Sequence, residues 1–467
     1  MTGREKTPNG RLAALMGESG MSKKGFARRM RDLSERDKGA AIRPTHTNVD
    51  KWLSGETRRP AERTCQLMAK VLSRELGRPV TLADLGYDEA VPNDADDQTL
   101  DHATSLSDAL IALASLAGRG DSKSLLVVPE AWDDLIARWT FGSQTAPTSV
   151  PEPRPVSEVD VCAVRDARQM FANFDYRYGG GRPRPLVAGY LETDVLPVIR
   201  HVSPDDPIGR AYFREVAALT RLAGWTAYDI GEHGHAQRYL YQAFRLARAA
   251  GDKALCARVL AGMSHQANFL GHFDRAVHLA RAAAHGAKGH ATPTVMALVH
   301  AMAARALASL GNEAETVQEL SAAESWMSLS DPTNDPDWIR YFDRAELHAE
   351  FAHCFRDLGQ SDAAAEHAAA SIKTSEQFYV RSLSFCRTVL ATAHLQAGEL
   401  EQALDTARGV VDTAADLRSF RVVSYLDTFR KELDQRPAST AGREFTEYLA
   451  LKMHSKDMPL SGRLLIA

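Results

Sequence analysis

No run of eighteen apolar residues occurs anywhere in the 467-residue chain, so a membrane-spanning helix is excluded at the level of sequence. The opening MTGREKTPNG is charged and carries no apolar core segment, so no signal peptide is expected and the expected location is cytoplasmic. Cysteine is scarce. Cys65, Cys162, Cys256, Cys354 and Cys386 stand far apart and none forms a CxxC pair, which argues for reduced thiols packed in helices rather than a redox or zinc site. There is no HExxH, no Cys/His quartet and no nucleophile–base pair at recognisable spacing. The histidine pairs His233/His235, His285/His290 and His348/His353 are therefore expected to pack or to lie on helix surfaces. Gly179-Gly180-Gly181 with Arg182 and Arg184 lacks the Gly-Lys-Ser/Thr of a phosphate loop, so it reads as a tight turn between helices. Phe171, Phe174, Tyr176 and Tyr178 are expected to serve core packing. On these grounds no catalytic residue, metal or cofactor is expected, and the chain is not read as an enzyme.

What is present is a repeat. Gly231, Gly271, Gly311, Gly359 and Gly398 each follow a helical stretch, at successive spacings of 40, 40, 48 and 39 residues. Five residues beyond each glycine stands a small residue: Ala236, Ala276, Thr316, Ala364 or Ala403. Nine beyond it stands Leu240, Ala280, Leu320, Ala368 or Ala407. Self-similarity at this period marks stacked helix–turn–helix units, and it predicts an all-α protein whose repeats form a superhelix. The long third interval is expected to hold a loop insertion at DPTNDPD, 331–337. Such arrays bind peptides, protein segments or small molecules far more often than they catalyse.

Charge divides the chain. Residues 1–80 hold 18 Lys+Arg against 9 Asp+Glu, a balance of +9; the remainder holds 56−18 = 38 against 60−9 = 51, a balance of −13. A basic head on an acidic body points to a polyanionic partner for the head. The head reads as five short helices. Asn9 caps the first and Ser22 the second; Pro44 ends a polar stretch that begins at Ser34. Thr45 or Thr47 caps a third helix with Val49 and Trp52 inward and Gly55 closing it. Pro60 opens a fourth, and Thr81 caps a fifth turn.

Two helices joined by a turn, the second starting with small polar residues and followed by G-x-x-x-x-P, form a helix-turn-helix pattern. A helix that enters the major groove must present small or hydrogen-bonding residues at its start while its far side stays apolar. Thr45, His46, Thr47, Asn48 and Lys51 fill that outer face and are the expected base-contacting residues of double-stranded DNA. Ser22, Lys23, Lys24, Arg28 and Arg29, with Thr57, Arg58 and Arg59, are the expected phosphate contacts.

The segments SKKGFARRM, HTNVDKWLSG and VLSRELGRPVTLADLG resemble the Xre/Cro-type helix-turn-helix regulators of actinobacteria. FDYRYGGGRPRP, LAGWTAYDIGEHGHAQRYLYQAFRLARAAGD and MSHQANFLG extend this likeness to Streptomyces regulators that join such a head to a tetratricopeptide-like array. These include the Nsd type, which negatively affects differentiation (sporulation) and antibiotic production. The resemblance covers roughly residues 9–86 and 158–430; the repeats are near 40 residues rather than 34 and lack the full Trp/Tyr/Pro consensus. It implies a transcriptional regulator that is not an enzyme, and the expected function is a repressor, nucleoid-associated when bound. One helix-turn-helix reads only about half a turn of duplex, so a homodimer is expected. The concave groove of stacked helix pairs is expected to take a peptide, small molecule or protein. The alternative is a helical-repeat scaffold whose basic head binds a protein or RNA. The expected domains are 9–87 for DNA binding, 88–157 as a linker with a short helical segment, 158–434 for the repeats, and 435–467 as a C-terminal helix and tail.

Overall fold

The protein is described by a computed structural model, which covers residues 8–36, 44–57, 60, 62–76, 80, 84–85, 100, 105–118, 125–141 and 155–454. Every regular element among these residues is helical. The chain divides into two compact units, Met1–Asp94 and Ala95–Ala467.

The first unit holds α1 (Gly10–Glu18), α2 (Lys23–Arg36), α3 (His46–Leu53) and α4 (Glu62–Leu76). Their apolar faces meet in a core of Leu12, Phe26, Met30, Val49, Met68 and Leu72, all fully buried. Asn9 does two jobs. Its Oδ1 accepts from the Leu12 N–H at 3.0 Å as the α1 cap, and its Nδ2 donates to the Leu85 carbonyl at 2.9 Å, tying both ends of the unit together. Gly55 closes α3 at φ 74°, the left-handed conformation expected of a residue just past a helix end. Of the fifth helix expected from Thr81, only the turn at Asp84–Leu85 lies within the described residues, and Leu85 is fully buried.

The second unit begins with α5 (Leu106–Gly118), α6 (Glu130–Phe141), α7 (Glu158–Tyr178), α8 (Arg184–Tyr190), a π-helical turn (Leu191–Val195) and α9 (Leu196–Ile199). Six consecutive pairs follow: α10 (Pro207–Asp229) with α11 (His233–Ala249), α12 (Lys253–Phe269) with α13 (Phe273–Ala287), α14 (Pro293–Ser309) with α15 (Glu313–Ser328). They continue as α16 (Arg344–Asp357) with α17 (Ser361–Thr374), α18 (Val380–Ala397) with α19 (Leu400–Ala414), and α20 (Phe420–Asp434) with α21 (Thr440–His454). The first helices of successive pairs pack side by side.

The repeat has a plain physical cause. Each of the five glycines has φ between 73° and 86°, so each ends a first helix in the left-handed region and reverses the chain. The small residue five positions on is fully buried in every repeat, where the second helix lies closest to the first. The residue nine positions on is at most 2% exposed.

Two expected boundaries differ. The helical segment expected at 105–141 within the 88–157 linker is present as α5 and α6, and it packs on the array, α5 on α11 and α6 on α13. The segment leading into α6 is bound by Gln237, whose side chain pairs with both the Val128 N–H (2.8 Å) and its carbonyl (2.7 Å), while Arg238 Nη1 donates to the Leu126 carbonyl at 2.7 Å. Trp132 is fully buried, and Trp139 Nε1 donates to the Ala282 carbonyl at 2.9 Å. Glycine makes the approach possible: a Cβ at Gly234 would overlap the Leu125 carbonyl, and one at Gly286 would overlap the Trp139 ring. At the other end, the helix read as separate completes the last repeat, since Phe445, Leu449 and Met453 pack with Phe429 in one core. The acidic segment 88–104, apart from Leu100, the proline-rich 144–154 and the tail 455–467 lie outside the described residues.

The array closes on itself. The glycine turn after α7 is a tight turn between helices: the Gly181 N–H donates to the Arg418 carbonyl (3.0 Å), the Arg418 N–H to the Tyr178 carbonyl (2.9 Å), and the Gly180 N–H to Asp229 Oδ2 (2.8 Å). Asp175 of α7 pairs with Arg381 of α18. The insertion at 331–337 is a bridge rather than a free loop. Thr294 Oγ1 donates to Asp335 at 2.6 Å, Arg168 pairs with Asp337, and Trp338 and Ile339 are buried.

Candidate functional site

In the first unit, Thr45 rather than Thr47 is the cap of α3. It has φ −105° and ψ 168°, its Oγ1 accepts from the Asn48 N–H, and Asn48 Oδ1 accepts from the Thr45 N–H at 2.9 Å, a reciprocal box that satisfies two helix-end donors. Arg31 Nη1 donates to the Pro44 carbonyl at 2.8 Å and so fixes the approach to α3. Thr45, His46, Thr47, Asn48 and Lys51 are all exposed, opposite buried Val49 and Trp52. Ser22, Lys23, Lys24, Arg28 and Arg29 are exposed as well. Ser22, Lys24, Gly25, Arg28, Arg31, Thr45 and His46 line one shallow groove between the starts of α2 and α3. Thr57 is half-buried; Arg58 and Arg59 lie outside the described residues.

Partners within the unit divide the predicted contacts. Lys23 pairs with Asp50, Arg29 with Glu75, and Lys51 with Glu56 at 3.2 Å. Each of these pairs is exposed enough to be worth about 1 kcal/mol at most, so each can exchange for a phosphate. Asn48 is constrained more. Bidentate recognition of adenine needs both its amide oxygen and its nitrogen, and the oxygen already serves the cap.

A second site lies in the array, and the sequence reading missed it. The first helices of the pairs and α7 surround a cavity of about 70 Å³. Five arginines reach it: Arg221, Arg258, Arg305, Arg381 and Arg421, none more than 8% exposed. Arg305 pairs with Glu350 at 2.6 Å and Arg381 with Asp175. Arg421 lies over the rings of Tyr228 and Phe385, 4.6 Å from each centroid, and 3.9 Å from Asp229. No carboxylate pairs with Arg221 or Arg258 among the described residues, and Arg221 Nε and Nη1 and Arg258 Nε have no hydrogen-bond partner. Burial and the neighbouring Arg258 push Arg221 down to about 9, which leaves it charged at neutral pH. Burial, with Glu350 and Asp343 nearby, raises the Glu346 carboxyl to about 8, and burial beside Arg421 and Arg305 holds His265 well below the usual imidazole range. An uncompensated guanidinium in such surroundings costs on the order of several kcal/mol. A wider cavity of about 590 Å³ shares His265 and Arg305 with this chamber and is lined by Ser309, Thr388, Thr392, Gln396, Ser424 and Thr428. The signal for these arginines was visible in LTRLAGW, CARVLAGM and AARALAS, where a charge interrupts an apolar helix. Of the predicted aromatics, Phe171 is buried in the core, Tyr176 lines the chamber, and Phe174 and Tyr178 remain 38% and 37% exposed.

No helix among the described residues is long and apolar enough to cross a membrane. Residues 12–88 match a family model described as the SP15 N-terminal domain. No curated protein matches the chain. Among solved structures the chain is similar to yeast Tom70, at 12% identity and TM-score 0.34, with 95% of each chain covered. It is similar also to a signal transduction ATPase with a tetratricopeptide repeat sensor from Pyrococcus horikoshii, at 11% identity and TM-score 0.29, covering 85% of this chain and 70% of that one. The described residues form a small helical unit at the N-terminus and, in the second unit, an array of stacked helix pairs.

Proposed function

We propose that this chain is a DNA-binding transcriptional regulator, a repressor of the differentiation or secondary-metabolism type that its sequence resembles. In this reading the helical-repeat array takes the regulating ligand or partner, and a homodimer places two heads on successive half-sites. One observation carries it. The capped start of α3 exposes Thr45, His46, Thr47 and Asn48 beside a groove flanked by Lys24 and Arg28, a polar reading edge next to charges that fit phosphates. The +9 balance of residues 1–80 supports a polyanionic partner. Selection of duplexes from a random pool by the full chain tests it. An enriched motif supports the reading, and a pool left unenriched rejects it.

The array supports a second reading. Six stacked helix pairs suit an interaction or scaffold protein, whose basic head would hold a protein or RNA. Retention of RNA or a protein partner by the full chain, with no duplex retained, favours this alternative. Light scattering on the free and DNA-bound chain tests the dimer.

A further inference from the structure

We infer that the chamber inside the array is a binding site for a small-molecule oxyanion, a compact phosphate- or carboxylate-bearing compound held by Arg221 and Arg258. The inference deepens the reading of the array as a ligand-taking body and rests on it only for the consequence of binding.

The argument is one of charge satisfaction. Three carboxyl groups line the chamber, and none pairs with the two central arginines. Asp175 gives one oxygen to Arg381 and keeps Oδ2 without a hydrogen-bond partner, Glu350 pairs with Arg305, and burial beside Glu350 and Asp343 raises the Glu346 carboxyl to about 8. Arg221 and Arg258 remain, from adjacent first helices α10 and α12, at 8% and 4% exposure. Arg258 leans on Tyr341, 5.2 Å from the ring centroid, which fixes its plane without neutralising its charge. Arg221 Nε and Nη1 and Arg258 Nε are buried charged donors without partners, three N–H groups that a phosphate or carboxylate oxygen can accept from. The neighbouring cavity of about 590 Å³, walled by hydroxyls and amides together with Arg305, Arg356, Asp357 and Glu432, is of the size that takes the remainder of a small organic ligand. A protein segment fits less well, because the chamber itself is only about 70 Å³.

The test uses the full chain without DNA, so its outcome is independent of whether the head binds a duplex. Thermal midpoints are followed in inorganic phosphate, pyrophosphate and citrate, each against sodium chloride at matched ionic strength. At least one of the three anions is expected to raise the midpoint in a saturable way. R221M and R258M are each expected to weaken that response at least about tenfold. Pyrophosphate or citrate as the stronger probe tells the phosphate source from the carboxylate source. Trp225 lines the same chamber, so anion addition should change tryptophan emission in the parent chain and change it less in W225F. This second readout stands even if an arginine variant fails to fold. No anion-specific rise and no emission change overturns the inference. So does a rise of full size in both arginine variants, which would place the anion on the basic N-terminal face instead.

Discussion

Asp229 holds the array's ends together, and replacing it by asparagine should be among the most damaging isosteric changes in the protein. The side chain is fully buried at the end of α10. It accepts from the Gly180 N–H at 2.8 Å and from Ser419 Oγ at 3.0 Å, and lies 3.6 Å from the Arg381 guanidinium and 3.9 Å from that of Arg421. One carboxylate thus connects α10 to the glycine turn after α7, to α18 and to the start of α20. The D229N substitution would keep the volume but lose the charge, leaving Arg381 with Asp175 alone and removing the carboxylate that lies beside Arg421. Hydrogen bonds to a charged group are worth about 1.5–3 kcal/mol each, and breaking a buried ionic cluster costs about 3–5 kcal/mol. These terms overlap and do not add. D229N should therefore lose about 3–5 kcal/mol in urea unfolding followed by circular dichroism, and R381M in the D229N background should lose less than R381M alone. A loss under about 1 kcal/mol, with no coupling to Arg381, would show that the ends are not clasped and would refute the reasoning.

Other outcomes follow from single side chains. N48A removes the Asn48 half of the reciprocal box and leaves the Thr45 cap of α3, so it should cost about 0.5–1.5 kcal/mol of stability in the N-terminal unit, measured by thermal unfolding, together with relaxed base choice. R28A should weaken duplex binding more than R29A in an anisotropy titration, because Arg29 must first leave Glu75; equal losses would contradict the grouping. E346Q tests the chamber's electrostatics. The folded-state carboxyl sits at about 8 against 4.5 ordinarily, so it contributes stability that is present below about 4.5 and lost as pH rises to about 8. E346Q should flatten that decline in midpoint between pH 4.5 and pH 8, and an unchanged slope would refute it.

How much of this was legible depends on how local the cause is. The five repeat glycines announced themselves because a left-handed residue past a helix end is a local demand, and the alanines beyond them because close helix contact tolerates only small side chains. The caps at Asn9, Ser22 and Thr45 were legible for the same reason, although the choice between Thr45 and Thr47 needed the Asn48 side chain in place. The helices of 105–141 were legible but their packing on the array was not, because their partners lie more than a hundred positions away. Gly234 and Gly286, inside helices where alanine is favoured, were the trace they left. The chamber arginines come from successive repeats at unmatched offsets, so no periodicity exposes them; only the superhelix brings them together.

The claim that the head reads DNA is tested most directly by the salt dependence of binding to a duplex selected by the full chain. The account predicts log affinity falling linearly with log salt, a slope shallower by about 1 in R28A, and little retention of unselected duplexes at the same salt. Affinity that ignores salt, or that is equal for every duplex and unchanged in R28A, would contradict it.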